Sequence, residues 1–496
     1  LPSNVVLQPT APGFARWRRA ITGPWLTNAS LLLLGFGLLL LTRQLISEFD
    51  HYTLGFSGVS GWSLILFGIS VMVVLTRPSN RWTFRIIVTA SILYYLVVLL
   101  PDPYLSSDVY RYAWDGVVQH AHISPYRYVP GDPVLSFLRA PNQDLFDNIN
   151  RRDYAHTIYP PGAQLLFFLV TFINPSVTGM KLAMISLSGL TMVGLLLLFK
   201  QMGIRREQIL LYSWCPLLVW EIGSSGHLDA AAMAFIVFAL LARLRLQPGR
   251  TGLFLAMAVL IKLYPIVLFP ALYRKGKNRM PVVLLAVIAV SYACYASVGL
   301  RVFGFLGGYV QEEGMASGDR YFLLELVQHI RGLSAIPVWA YMVFCGVIAT
   351  AILLWCWRAC STAQPVANAN IRRHFYLPEG AEFIAPAALL SFVMMLLFSP
   401  HYPWYVAWLI PFFAIIPSFS LFAYTGGVFY LFTTALAVGS GPKEFLMNEI
   451  LYSAVGAAFL LELCAHRWPV HRRLLLDKSG AISQDFFAAK QVESKP

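Results

Sequence analysis

Pro101-Asp-Pro-Tyr-Leu-Ser-Ser-Asp-Val-Tyr-Arg-Tyr-Ala-Trp-Asp-Gly116 opens the longest polar connection of the chain, a segment from 101 to 161 set between apolar blocks. The apolar run before it, 84–100, and the run 180–199 beyond it approach the ~20 residues that a helix needs to cross a bilayer. The same pattern extends over the whole sequence. Its 496 residues are 57% hydrophobic and 12% charged, against about 25% charged in a soluble domain. That composition excludes an ordinary soluble enzyme. Lys and Arg total 37 against 24 Asp and Glu, a formal +13, which in a membrane protein reports basic cytoplasmic loops rather than a nucleic-acid partner.

Candidate spans lie near 25–45, 58–76, 84–100, 180–199, 208–222, 229–246, 280–300, 336–357, 384–399, 404–417, 420–438 and 449–465, about twelve in all. The expected fold is an all-α polytopic membrane protein with one domain over 25–465, between a cytoplasmic N-terminal segment 1–24 and a cytoplasmic tail 466–496. The basic run Phe14–Ala20 precedes an apolar stretch too long for a signal peptide, and no small-residue cleavage site follows it, so a retained first helix is expected. Cys215, Cys294, Cys345, Cys356, Cys360 and Cys464 show no paired spacing of a zinc site or disulfide framework.

Charge decides the two ambiguous stretches. Arg250 and Arg274 belong on one side, so the chain between them enters and returns, turning at Lys262-Leu-Tyr-Pro265. Lys262 is expected near the tip of that cytoplasmic hairpin, in a snorkelling or structural role. The stretch from Tyr159-Pro-Pro161 to Asn174-Pro175 is expected to dip in and return likewise. Irregular backbone at such depth is tolerated only around protein or a wet cavity, so both hairpins point to a cavity. The opposite face then collects 101–161, Gly223–Asp229, the second loop 301–335, Ser399–Tyr405 and Gly441–Glu444.

Ser106 or Ser107 can cap a helix from Asp108 to about His120. Asp108, Arg111, Tyr112 and Asp115 share a face of it by three- and four-residue spacing. An ionised carboxylate beside an arginine can accept a proton from an attacking hydroxyl, while the plain alternative is a surface ion pair, with Asp115 a helix-end residue before Gly116. Glu221, His227 and Asp229 are costly at membrane depth and default to functional readings. His227 and Asp229 either bind sugar hydroxyls or pair with each other as a helix cap.

Asp108–Gly116, with Ile123-Ser-Pro-Tyr126, Thr157-Ile-Tyr-Pro-Pro161, Gly226-His-Leu-Asp229, Lys262-Leu-Tyr-Pro265 and Pro400-His-Tyr-Pro-Trp-Tyr405, resembles integral-membrane glycosyltransferases of the GT-C superfamily. The likeness is nearest to bacterial polyprenyl-phosphate-mannose-dependent mannosyltransferases and runs from about 84 to 415. It departs at the front, where two apolar helices precede the one leading into the loop. The resemblance implies a GT-C-like fold in a bacterial inner (plasma) membrane, its site facing the periplasm or cell exterior. A sugar, mannose by the likeness, would pass from a polyprenyl-phosphate donor to a glycan or glycolipid acceptor by inverting displacement, with Asp108 as base. A retaining route would need a second carboxylate about 5 Å across the sugar, a place left open to Asp115 or Asp229.

The leaving phosphate needs cationic or hydrogen-bonding partners, for which His401 is the first candidate, with Arg320 and Lys443 as alternatives. Arg111, Tyr112, Asp115, Glu221, His227, Asp229, Tyr159, Tyr402 and Trp404 are assigned to sugar or acceptor binding, although Trp and Tyr also serve as interfacial anchors. No metal or other cofactor is expected, because relatives using monophosphate donors work without one; the lipid-phosphate sugar is a co-substrate. The alternatives are a transporter or flippase of a lipid-linked sugar, and a lipid-diphosphate glycan polymerase or ligase. Clustering of the charges in one early acidic loop counts against both.

Overall fold

A computed structural model describes residues 23–47, 54–103, 105–330, 333, 335–361, 375, 377–431 and 441–467. The N-terminal arginines, Arg331, the middle of the 358–383 loop and the tail beyond 467 lie outside the described residues. Among the described residues the chain is helical, with no strand. Among the described residues, six helices are long and apolar enough to cross a membrane, or seven if a sharply bent pair counts as one span.

The longest elements are α1 (Pro24–Ser47), α2 (Leu54–Thr76), α3 (Arg81–Leu99), α4 (Asp108–His120), α5 (Pro161–Ile173), α6 (Val177–Met202), α7 (Asp229–Leu244), α8 (Pro248–Ile261), α9 (Arg279–Ala293), α10 (Val338–Ser361), α11 (Ile384–Phe398) and α12 (Gly441–Arg467). The expected spans 25–45, 58–76, 84–100, 180–199, 336–357 and 449–465 coincide with α1, α2, α3, α6, α10 and α12, the six of full length. The other apolar stretches form shorter or broken helices. Residues 208–222 are interrupted at Pro216, whose missing N–H and ring forbid a continuous helix, and finish in a π-helical turn over Val219–Ser224. Every residue from 209 to 234 is buried, which is what irregular backbone at membrane depth requires. α9 bends by 109° into the helical segments 296–312.

Side chains at the polar loop explain its position. Lys181 of α6 donates from Nζ to the carbonyls of Val98 (2.9 Å) and Pro101 (2.6 Å). It thereby satisfies acceptors left open where α3 ends and anchors the start of the 101–160 segment. α4 lies directly on α5, because a methyl at Gly116 would fall 2.3 Å from Thr171 Oγ1 and 2.7 Å from the Phe167 carbonyl. By contrast α10 exposes Trp339, Val343, Val347 and Leu354, apolar groups whose natural neighbour is lipid.

Candidate active site

Asp108 opens α4, and the expected helix limits are those observed. The N-cap position is Ser107, without a side-chain cap bond, while Ser106 Oγ accepts the Asp108 N–H at 3.3 Å. The carboxylate enters a cavity of about 510 Å³. Asn150 Nδ2 donates to its Oδ1 at 3.2 Å. Burial drives the Asp108 carboxyl above its ordinary range, against the opposing pull of the Asn150 hydrogen bond and of the Lys262 and Arg151 charges.

One polar knot holds the helix that carries this group. Arg111 Nε meets Asp115 Oδ1 at 2.8 Å, and Nη1 donates to the Ala155 carbonyl at 3.0 Å. Gln164 Nε2 of α5 donates to Asp115 Oδ2 and to Thr157 Oγ1, both at 2.9 Å. Asp115 therefore sits inside α4, buried and fully engaged, rather than at a helix end, because α4 continues to His120. Tyr112 packs edge-on to Tyr159 and face-on to Phe167, with centroids 4.9 and 4.8 Å away. Arg111 and Tyr159 line the cavity; Tyr112 and Asp115 stand behind it.

A second wall comes from the break after α8. Lys262, expected near a cytoplasmic tip, lines the same cavity as Asp108. The charge rule speaks to the side expected for Arg250 and Arg274, not to how deep the turn between them reaches. The 14 residues of α8 rise about 21 Å, most of a ~30 Å hydrocarbon core, which carries Lys262 far from Arg250. Its Nζ meets Asp229 Oδ2 at 2.6 Å, and Tyr264 OH donates to Asp229 Oδ1 at 3.0 Å. Asp229 pairs with Lys262, while His227 faces Glu221 at 3.2 Å with both side chains wholly buried. The considered pairing of His227 with Asp229 is thus not the one formed.

Aromatic rings complete the enclosure. His227 stacks on Trp404 with centroids 4.3 Å apart, and Trp404 stacks on Tyr402 at 4.4 Å and 8°. Tyr402, Trp404 and Tyr405 line the cavity, and the Tyr405 hydroxyl contacts that of Tyr309. Glu313 also lines it but is bonded to Arg320, whose Nε donates to the Phe398 carbonyl at 3.2 Å. Arg320 therefore stands behind the wall, and His401, half-buried in the preceding turn, is not among the lining residues. Lys443 falls in the first turn of α12, its side chain outside the described residues.

The sequence reading had not singled out Asn150, Arg151, His156, Tyr309 or Glu313, all of which line the cavity. Asn150, Arg151 and His156 occur in a polar stretch without motif spacing. Arg151 has φ +53°, a left-handed conformation uncommon outside glycine that no sequence pattern announced. Its Nε bonds Glu312 Oε2 at 2.6 Å, and Tyr154 OH donates to Glu312 Oε1 at 3.0 Å. These contacts join the 150–154 segment to 306–312 at the cavity rim. Among the described residues, no group of three or more His, Cys, Asp or Glu is gathered as metal ligands.

Each charged side chain of the wall except Asp108 has a partner of opposite sign: Arg111 with Asp115, Arg151 with Glu312, Lys262 with Asp229 and Glu313 with Arg320. Asp108 has the neutral amide of Asn150. A carboxylate that is hydrogen-bonded but not ion-paired, in a cavity with aromatic faces, can take a proton from a hydroxyl held beside it. No curated protein and no solved structure matches the chain. Residues 51–274, which include Asp108, Asn150, Asp229 and Lys262, match the model described as alpha-(1->6)-mannopyranosyltransferase, N-terminal domain. Over that segment the chain is similar to the N-terminal domain of a GT-C mannosyltransferase family, a likeness that supports a glycosyltransferase activity.

Proposed function

We propose that the protein transfers mannose from a polyprenyl-phosphate-linked donor to a glycan or glycolipid acceptor on the extracytoplasmic side of the membrane, with Asp108 as general base. The observation that carries this reading is the Asp108 carboxylate, which meets the cavity without a cationic partner while the other wall charges are paired. The acceptor oxygen attacks the anomeric carbon and its proton passes to Asp108. The bond from that carbon to the phosphate oxygen breaks, and its electron pair leaves with the lipid phosphate. Tyr159 and Tyr402 offer rings to the sugars, and Trp404, stacked between Tyr402 and His227, backs the Tyr402 ring. Arg111 holds the base-bearing helix in place.

A single displacement inverts the anomeric centre. An alpha linkage, as in the family description, would then require a beta-linked donor. Asp115 and Asp229 are committed to Arg111 and Lys262, which leaves neither poised as the nucleophile of a retaining route. We read the reaction as metal-independent, with side-chain cations meeting the charge of the leaving group.

The test is transfer of radiolabelled mannose from synthetic beta- and alpha-linked polyprenyl-phosphate-mannose to a membrane lipid extract, with and without chelator. The expected result is chelator-resistant transfer from the beta donor alone, giving an alpha-linked product. Activity with nucleotide sugars only would sink the donor assignment. Movement of the lipid-linked sugar across vesicles without transfer would favour the transporter reading.

The pH profile gives an independent check. The base works when ionised, so kcat/KM falls as pH drops through the Asp108 pKa. Because burial raises that pKa, the acid limb should lie above the ordinary aspartate value of about 3.9. Asn150→Ala removes a hydrogen bond that favours the ionised form and should move the limb to still higher pH. An acid limb unaffected by Asn150→Ala would detach it from Asp108.

A further inference from the structure

We propose that Lys262, oriented by Asp229 and Tyr264, is the cation that receives the donor's lipid phosphate. This rests on the glycosyltransferase reading above but assigns the phosphate to a different residue from His401, Arg320 or Lys443. Among the described residues, three cationic side chains other than histidine line the cavity: Arg111, Arg151 and Lys262. Arg111 spends Nε and Nη1 on Asp115 and Ala155 and is almost wholly buried. Arg151 ties the rim to Glu312. Lys262 lies in the break after α8, and Asp229 accepts one of its three N–H bonds. The ammonium also stands 5.2 Å from the centre of the Tyr405 ring.

The buried acid behind it argues for a built site. Asp229 has no exposed surface and is held by Tyr264 as well as Lys262, so the ammonium is fixed from behind while its front meets the cavity. Buried ion pairs contribute little net stability compared with apolar groups of similar size, so stability gives weak reason for this pair at the wall. Phosphate chemistry gives a stronger one. A sugar–phosphate–lipid is a diester with one negative charge; once the sugar leaves, the lipid phosphate is a monoester carrying up to two. The site must hold more charge after the bond breaks than before, and a lysine ammonium is a compact point charge for phosphate.

The test uses the full chain in nanodiscs with polyprenyl monophosphate as probe and the neutral polyprenol as control. Lys262→Met should weaken polyprenyl phosphate binding about tenfold or more, the loss expected for one charge-assisted contact, and leave polyprenol binding unchanged. Lys262→Met strands the buried Asp229 charge, so Lys262→Met/Asp229→Asn is measured beside it and should show the same selective loss. Lys262→Arg should recover part of the binding. In transfer assays, Lys262→Met should raise the donor KM as well as lower kcat.

Wild-type affinity for the phosphate in the double variant, or equal loss of phosphate and alcohol, would overturn the assignment. Transfer by Lys262→Met at an unchanged donor KM would overturn it while leaving the glycosyltransferase reading intact. Lys262-dependent phosphate binding without sugar transfer from any phosphosugar donor would uphold the anion site and remove the enzymatic reading.

Discussion

Asp108→Asn lowers transfer by about a thousandfold, within the range contributed by one positioned general base, and leaves the protein folded. Asn keeps the shape of the side chain, and its Oδ1 can still accept the Asn150 amide that bonds Asp108 at 3.2 Å. What it loses is basicity. Stability should move the other way. Because burial raises the folded-state pKa of Asp108, ionisation of this group opposes folding at pH values above that pKa, and the penalty fades as pH falls from the folded-state pKa to the unfolded value. A neutral isostere removes the penalty at neutral pH, so the melting temperature of Asp108→Asn should equal or exceed that of the wild type. Activity within tenfold of wild type would strip Asp108 of its role and turn attention to Glu313, the other carboxylate on the cavity wall. Lost activity with a lowered melting temperature would mean damage to α4 instead of loss of a base.

Gly304→Ala produces the second large effect, at a distance from any reacting group. Gly304 has φ +52° and ψ −131°, a combination open essentially to glycine. A methyl there would fall 1.6 Å from the Thr157 carbonyl oxygen, far inside any permissible contact. The backbone at 303–305 must therefore lift from 157–158, and Thr157, Ile158 and Phe305 all line the cavity. The strain is about 1–3 kcal/mol before the displaced contacts are counted. We expect transfer to fall at least about thirtyfold, equivalent to about 2 kcal/mol on the barrier, with helix content unchanged by circular dichroism. Gly307→Ala is the matched control, since a methyl there meets nothing within 4 Å. Equal activity of the two variants would show that the 303–305 approach is irrelevant to the site.

What could be read from sequence divides along physical lines. α1, α2, α3, α6, α10 and α12 were legible because a long apolar run between charged connections leaves a chain few alternatives in a bilayer. α4 was legible because serines, an early aspartate and helical spacing agree over Asp108–His120. The buried segment 209–234 was harder: hydropathy reports that it is apolar, not that Pro216 and the π-helical turn break it among neighbouring helices. At the site, Asp108 stood out because its motif is local. The partners of Lys262 and Arg151 could not stand out in the same way, since Asp229 and Glu312 are remote in sequence and the pairs exist only after packing. Tyr402 and Trp404 were legible as an aromatic cluster, but the His227 ring stacked behind Trp404 belongs to another part of the fold.

The cavity wall is assembled from pieces of 105–111, 150–159, 262, 305–313 and 402–405, and this order has a consequence for biosynthesis. During translation the residue proposed as base emerges long before Tyr402, Trp404 and Tyr405, with several hydrophobic helices made in between. Until that last turn docks, Asp108 faces an incomplete vessel, lacking the aromatic side and the Tyr309–Tyr405 contact. A ribosome-bound or prematurely terminated chain ending near residue 274 would hold the matched family segment, with Asp108 and Lys262, yet could not enclose a sugar between them. The proposed active centre thus needs the finished chain, and a chain stopped near 274 would carry Asp108 and Lys262 without Glu313 or the aromatic side of the cavity.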